Sequence, residues 1–152
     1  MKLKKILFVC TGNTCRSPMA EVILKNKLKL AGITGVKVSS AGFSATDGDK
    51  MSKNSREALR ELGYKVGAFK SKKLTLDLIM KNDAVVCMTK THKECINVFE
   101  NVYTVSELTG LPDISDPYGG DLTRYMKVSH QLEDACNIIL NKILELKENE
   151  RK

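Results

Sequence analysis

The stretch ILFVCTGNTCRSPMAEVIL, residues 6–24, carries two periodicities separated by a short break. Ile6 to Cys10 is an unbroken apolar run, the pattern of a strand covered on both faces. After Pro18 the apolar residues recur at helical spacing, which predicts a helix over Met19 to Leu30. Between the two lie Thr11, Gly12, Asn13, Thr14, Cys15, Arg16 and Ser17, small or polar except for the arginine. The chain thus passes from a strand, through a loop that begins at a cysteine and closes on an arginine, into a helix.

Outward from this unit the same alternation continues. Apolar runs bounded by turn residues predict strands at residues 36–42, 83–88 and 101–105. Helical spacing predicts helices at 53–62, 74–80 and 90–99, and a long last one in which Leu132, Cys136, Ile139 and Ile143 fall three or four apart. Asp121, after Gly119 and Gly120, is placed to cap it. Alternating strands and helices predict an α/β domain built on a parallel sheet covered on both faces. A single domain over residues 1–148 is expected, with 149–152 as a loosely ordered tail. In such sheets ligands bind beyond the carboxyl ends of the strands, and the loop after Cys10 lies there.

Composition narrows the class. The 152 residues suffice for one well-buried core. Five cysteines with no apolar leader at MKLKKILFVC predict a reduced, cytoplasmic protein rather than a disulfide scaffold. No apolar run approaches the length of a membrane span, so no membrane partner is expected. The charge is +7 and uneven: residues 1–81 hold 17 Lys/Arg against 6 Asp/Glu, and residues 82–152 hold 8 against 12. A basic N-terminal half suits an anionic ligand. Nucleic acid is not the expected one, since zinc-finger spacing and RNP-like aromatic motifs are both missing. A metal site is not expected either: Cys87, Cys95 and Cys136 form no close pair, and His92 and His130 stand apart.

The loop itself has a chemistry. A loop entering a helix offers unpaired N–H groups and the positive end of the helix dipole, an anion site. Gly12 and Asn13 tolerate the left-handed backbone that curls such N–H groups inward. The same field favours a thiolate at Cys10. Arg16 supplies a planar fork for two phosphoryl oxygens, and the Ser17 hydroxyl is placed to donate to the sulfur. A nucleophile beneath a phosphate held by N–H groups and one arginine is an arrangement for covalent phosphoryl transfer. A P-loop NTPase would need a lysine and a second glycine that this loop lacks.

Cys-x5-Arg-Ser directly after the first strand, within VCTGNTCRSPMAE, resembles the low-molecular-weight protein tyrosine phosphatases. The likeness runs on through SSAG (39–42), DAVVCMTKTHKE (83–94) and DISDPYGGDLTRY (113–125). It implies a four-stranded parallel sheet with helices on both faces, phosphatase I-like. It also implies a general acid on a late Asp-Pro loop, which here is Asp116 before Pro117, with Asp113 and Asp121 as nearby rivals. By the same carry-over Asn13 and Ser40 brace the phosphate loop, Tyr118 lines the entrance wall, and Phe69 stands where many members place a supporting histidine. No cofactor is implied, and the partners expected are phosphorylated proteins, with inorganic phosphate as product and a monomeric enzyme.

Thr14 bears on the substrate. Tyrosine-directed members usually have isoleucine or leucine two residues before the arginine; the form CTGNTCRSP, with DPYGG after it, resembles the bacterial protein-arginine phosphatases of the family. A threonine there is smaller and its hydroxyl suits a guanidinium or an attacking water, whereas an aromatic ring would lose an apolar contact. Phosphoarginine in proteins is therefore the substrate expected, with phosphotyrosine the alternative. Two further alternatives, a thioredoxin-coupled arsenate reductase using Cys87 and Cys95 and a phosphocarrier domain, fit less well. The first usually has six residues between its second cysteine pair where this chain has seven; the second has no need of Arg16 or Asp116. Cys15, five residues after Cys10, is a candidate redox partner for the nucleophile.

Overall fold

The computed structural model describes residues 1–151. Strand β1 (Lys5–Cys10) leads into α1 (Arg16–Leu30), β2 (Lys37–Gly42), α2 (Lys53–Glu61) and α3 (Leu76–Lys81). There follow β3 (Ala84–Cys87), α4 (Lys90–Glu94), β4 (Val102–Thr104), α5 (Val105–Thr109) and α6 (Leu122–Glu150). The strands form one sheet in the order β2-β1-β3-β4, parallel at every pairing. From β1 the chain first steps outward to β2 and later returns on the other side to β3. This reversal of direction is where open α/β sheets leave a crevice for ligands, and Cys10 is the last residue of β1.

Because successive side chains of a strand point to opposite faces, β1 serves two cores. Ile6, Phe8 and Cys10 pack with Met19 and Ile23 of α1 and with Val128, Leu132 and Ile139 of α6. Leu7 and Val9 pack on the other face with Ile79, Val85 and Cys87, backed by Ile96 and Phe99. The unbroken apolar run read as a strand covered twice is such a strand. Asp121 caps α6 as expected, its Oδ1 accepting from Arg124 N at 3.1 Å.

Several elements differ from the expectation, most of them by only a residue or two at an end. Helix α1 begins at Arg16, two residues before Pro18; a proline in the first turn loses no helical hydrogen bond, so it fits there. Helix α4 stops at Glu94 rather than running to residue 99. The turns that follow bring Ile96 and Phe99 into the second core. Helix α5, five residues long and closed by a Thr104–Glu107 capping box, has no counterpart among the expected elements. Finally, residues 149 and 150 are helical rather than loose. Lys147 Nζ donates to Thr34 O at 3.0 Å and Lys4 Nζ pairs with Glu150 at 3.3 Å, tying the end of α6 to the body.

Candidate active site

Residues 11–15 bridge β1 and α1 as a curled loop. Asn13 is the one residue other than glycine with positive φ, 54°, among the described residues, the left-handed conformation that Asn tolerates best after Gly. Its side chain is completely buried and every polar atom of it is used. Nδ2 donates to Ser17 Oγ at 2.8 Å and to Ser40 Oγ at 2.9 Å, and Oδ1 accepts from Lys72 N at 2.9 Å. Ser40 in turn donates to Glu21 at 2.7 Å. The backbone oxygen of Asn13 accepts from Ser71 Oγ at 2.6 Å. A satisfied buried network of this kind fixes one loop conformation, because breaking any member leaves a desolvated partner.

Gly42 permits the close approach that this requires. A Cβ at Gly42 would stand 2.6 Å from Thr11 O and 2.8 Å from Asn13 N. Beyond it, Phe43 N donates to Cys10 O at 3.1 Å and Ser44 N to Thr11 O at 2.9 Å, so the strap after β2 fastens the first turn of the loop.

Cys10 is buried, with its Sγ 2.9 Å from Ser17 Oγ. Ser17 Oγ accepts from Asn13, and two acceptors lie within reach of its own hydrogen, the Cys10 sulfur and, at 3.4 Å, Ala41 O. The N-cap residue of α1, Cys15, makes no side-chain cap, and no acid lies in the first turn. The helix end therefore keeps the donors and the dipole that suit an anion.

Arg16 is buried, and the structure shows what aims it: Nη1 donates to Ile114 O at 3.1 Å, while Nη2 lies 3.7 Å from Asp116 Oδ2. The Asp-Pro loop and the arginine are thus one unit. Asp116 is more than half exposed and its Oδ1 accepts from Tyr118 N at 3.1 Å. Asp113 is spent elsewhere, accepting from Lys90 N, and Asp121 is the cap of α6. Of the three aspartates, Asp116 is the one at the arginine.

The remaining expected residues fall around this centre. Thr14 is half-buried, its Oγ1 3.7 Å from Cys15 Sγ and its carbonyl accepting from Ser52 N at 2.9 Å. Gly12 faces it, since a Cβ at Gly12 would be 3.7 Å from Thr14 Oγ1. Cys15 is buried against Ser52 and Tyr125, whose hydroxyl is 3.4 Å from its sulfur. Burial, reinforced by the Cys15 contact, pushes the Tyr125 phenol up to about 12. Tyr118 is largely exposed, and it bonds Asp116 through its backbone N–H.

Two supports were not foreseen. Phe69, expected where a supporting histidine stands in many relatives, packs against the larger core instead; Ser71, two residues on, makes the bond to Asn13. His92 is not isolated: its Nε2 lies 3.0 Å from Thr11 Oγ1. Neither has a sequence signal of its own, since each reaches the loop only through the fold. Cys87 is buried within β3, where desolvation pushes its thiol up to about 12, an inert environment for the redox pair of an arsenate reductase.

The family model for low molecular weight phosphotyrosine protein phosphatases matches residues 5–152. A protein-arginine-phosphatase of Bacillus subtilis (strain 168) is 38% identical over 136 residues, spanning 85% of this chain and 89% of that protein. One from Geobacillus stearothermophilus is 35% identical over 146 residues, spanning 91% and 95%. A solved structure of a YwlE arginine phosphatase mutant with a phosphorylated active-site serine superimposes with a TM-score of 0.85, at 36% identity over 97% of this chain and 98% of that one. With the family model matching nearly the whole chain, the chain belongs to the low molecular weight phosphotyrosine protein phosphatase family, enzymes that work through a catalytic cysteine.

Proposed function

We propose that this phosphatase hydrolyses phosphoarginine in proteins, with Cys10 as nucleophile, Arg16 as the oxygen clamp and Asp116 as the acid and base. Thr14 carries the reading. It puts a hydroxyl, not a branched apolar chain, beside the nucleophile's loop, and the two protein-arginine-phosphatases named above support it. The Asp116 carboxylate at the mouth adds a group able to pair with guanidinium N–H and to protonate nitrogen.

In the first step Cys10 Sγ attacks phosphorus in line and the P–N bond breaks as Asp116 gives its proton to the leaving nitrogen. Arg16, the loop amides of residues 11–15 and the N–H groups opening α1 hold the three oxygens. In the second, Asp116, now a carboxylate, takes a proton from water as the water attacks the cysteinyl phosphate. The P–S bond breaks, inorganic phosphate leaves, and Cys10 returns as thiolate. No step calls on a cofactor. We place the enzyme in the cytoplasm as a monomer, a setting that suits five cysteines of which none is paired in a disulfide. None of the described helices is long and apolar enough to cross a membrane. Cys15 is the redox partner we assign to Cys10.

The test is kcat/KM on phosphoarginine and phosphotyrosine peptides of one sequence, for the wild type and Thr14→Ile. The wild type should favour phosphoarginine and the variant should move toward phosphotyrosine; a wild-type preference for phosphotyrosine overturns the reading.

A further inference from the structure

Two threonine hydroxyls bracket a buried imidazole at the rim of the phosphate loop. His92 of α4 places Nε2 3.0 Å from Thr11 Oγ1 and Nδ1 3.1 Å from Thr89 Oγ1. One face of the ring stacks on Phe43, with centroids 5.7 Å apart and planes at 17°. Phe43 is itself fastened to the loop through Cys10 O. The charged groups facing the ring are Arg16, Asp116 and Asp113; burial first, then Arg16, hold it below the ordinary imidazole range, so it is neutral at pH 7.

The protons can be counted. Thr89 is the N-cap of α4, and its Oγ1 accepts from His92 N at 3.2 Å. Its own hydrogen is therefore free, and among the described residues Nδ1 is the acceptor within reach. A neutral ring that accepts at Nδ1 carries its proton on Nε2, and that N–H points at Thr11 Oγ1. The Thr11 hydroxyl, accepting from the ring, must turn its own hydrogen elsewhere. Thr11 is exposed and directly follows the nucleophile.

We propose that His92 is a positioning residue for the phosphate loop: through its Nε2–H it holds the Thr11 hydroxyl so that the hydrogen is presented at the mouth, as a donor to a phosphoryl oxygen of the substrate. The Thr89–His92–Thr11 chain fixes the direction of one donor in the same way that Ser71 and Asn13 fix the loop's other side. This rests on the loop holding the phosphoryl group, a reading that can be tested separately.

Long-range ¹H–¹⁵N spectra of the labelled protein report the tautomer; the Nε2–H form is expected, and the Nδ1–H form overturns the proposal. In kinetics T11V, exposed and close in shape to the wild type, should lower kcat/KM and weaken competitive inhibition by inorganic phosphate by about ten-fold. T11S should recover most of that loss. H92L should lose a similar factor, H92Q should recover most of it by returning an N–H near Nε2, and H92L with T11V should be no worse than T11V. A T11V enzyme as active and as phosphate-sensitive as the wild type, or losses that multiply in the double variant, would reject the proposal. Should H92L fold poorly, the Thr11 pair and the tautomer still decide. Absence of phosphate inhibition in the wild type strikes instead at the loop as an anion site, so the two failures are distinct.

Discussion

Arg16 Nη2 stands 3.7 Å from Asp116 Oδ2, and the same guanidinium is anchored by Ile114 O two residues earlier in the acid's loop. The proposed oxygen clamp and the proposed acid are therefore set by one loop. A phosphoryl group bound to the arginine would come to lie beside the carboxylate.

For Asp116→Asn this coupling predicts loss of chemistry with binding largely kept. General acid–base catalysis contributes about 10²–10⁴-fold, so kcat should fall by at least about 10²-fold, while inorganic phosphate still inhibits through Arg16 and the loop amides. With an activated aryl phosphate, whose leaving group needs no proton, the first step should suffer less than the second. The cysteinyl phosphate should then accumulate and be trapped by acid quench. Equal loss of kcat/KM, which reports the first step alone, on activated and unactivated substrates would remove Asp116 from the acid role.

The phosphate loop predicts a cost of a different kind. Asn13→Ala removes the partners of Ser17, Ser40 and Lys72 N at once and leaves a residue with a Cβ but no polar side chain at φ 54°. Stranded buried polar groups cost about 1–3 kcal/mol each, so the variant should lose several degrees in Tm together with activity. Gly42→Ala should behave similarly for a steric reason, since the new Cβ meets Thr11 O and Asn13 N, both backbone atoms with little room to move. Thermal melts and kcat measured on the same samples check both. An Asn13→Ala protein that melts like the wild type would show the network to be dispensable for the fold.

How much of this was legible before the structure depends on how local each interaction is. Cys10, Arg16 and Ser17 belong to eight consecutive residues, so their joint chemistry can be read directly, and the strand alternation around them is equally local. Asp116 needed the family likeness, because Asp-Pro alone is a turn signal, and the structure separates it from Asp113 and Asp121 through their bonding partners. Ser71 and His92 meet the loop across 58 and 81 residues of sequence, and nothing in their own neighbourhoods announces the meeting. The end of α6 was misread for a physical reason: apolar periodicity stops at Leu146, while Lys and Glu are good helix formers that extend a helix without burying anything.

Acid stability follows from His92 and Glu107, in separate windows. The folded state holds the His92 ring neutral against an unfolded value of about 6.5. The unfolded chain thus binds the proton more readily, and stability present above pH 6.5 is lost as pH falls through the folded value. Glu107 is also held low, first by its bond to Lys93, but its unfolded value is near 4.3, so its contribution stays intact until lower pH. Denaturation midpoints at pH 7.5, 6.5 and 5.5 should decline for the wild type, and decline less for His92→Gln. Parallel declines would mean that the ring titrates alike in both states.

The cysteines differ enough in surroundings for oxidation to be selective. Cys87 and Cys136 are buried with thiols pushed up to about 12, mainly by desolvation, and should stay inert. Cys95 is exposed, so it should be alkylated in the folded protein without loss of activity. Cys10 and Cys15 stand at the two ends of one loop, and the Cys15 sulfur is bonded only to the hydroxyls of Thr14, Ser52 and Tyr125 among the described residues. A sulfenic acid formed on Cys10 can condense with the Cys15 thiol, releasing water and joining the sulfurs, which blocks the nucleophile but spares it further oxidation. Brief peroxide treatment should inactivate the wild type reversibly, with a Cys10–Cys15 peptide on mapping and full recovery in dithiothreitol. Cys15→Ser should inactivate without recovery, through sulfinic and sulfonic acid at Cys10. Full recovery of the serine variant would mean that some other thiol protects the nucleophile, and the role assigned to Cys15 would be withdrawn.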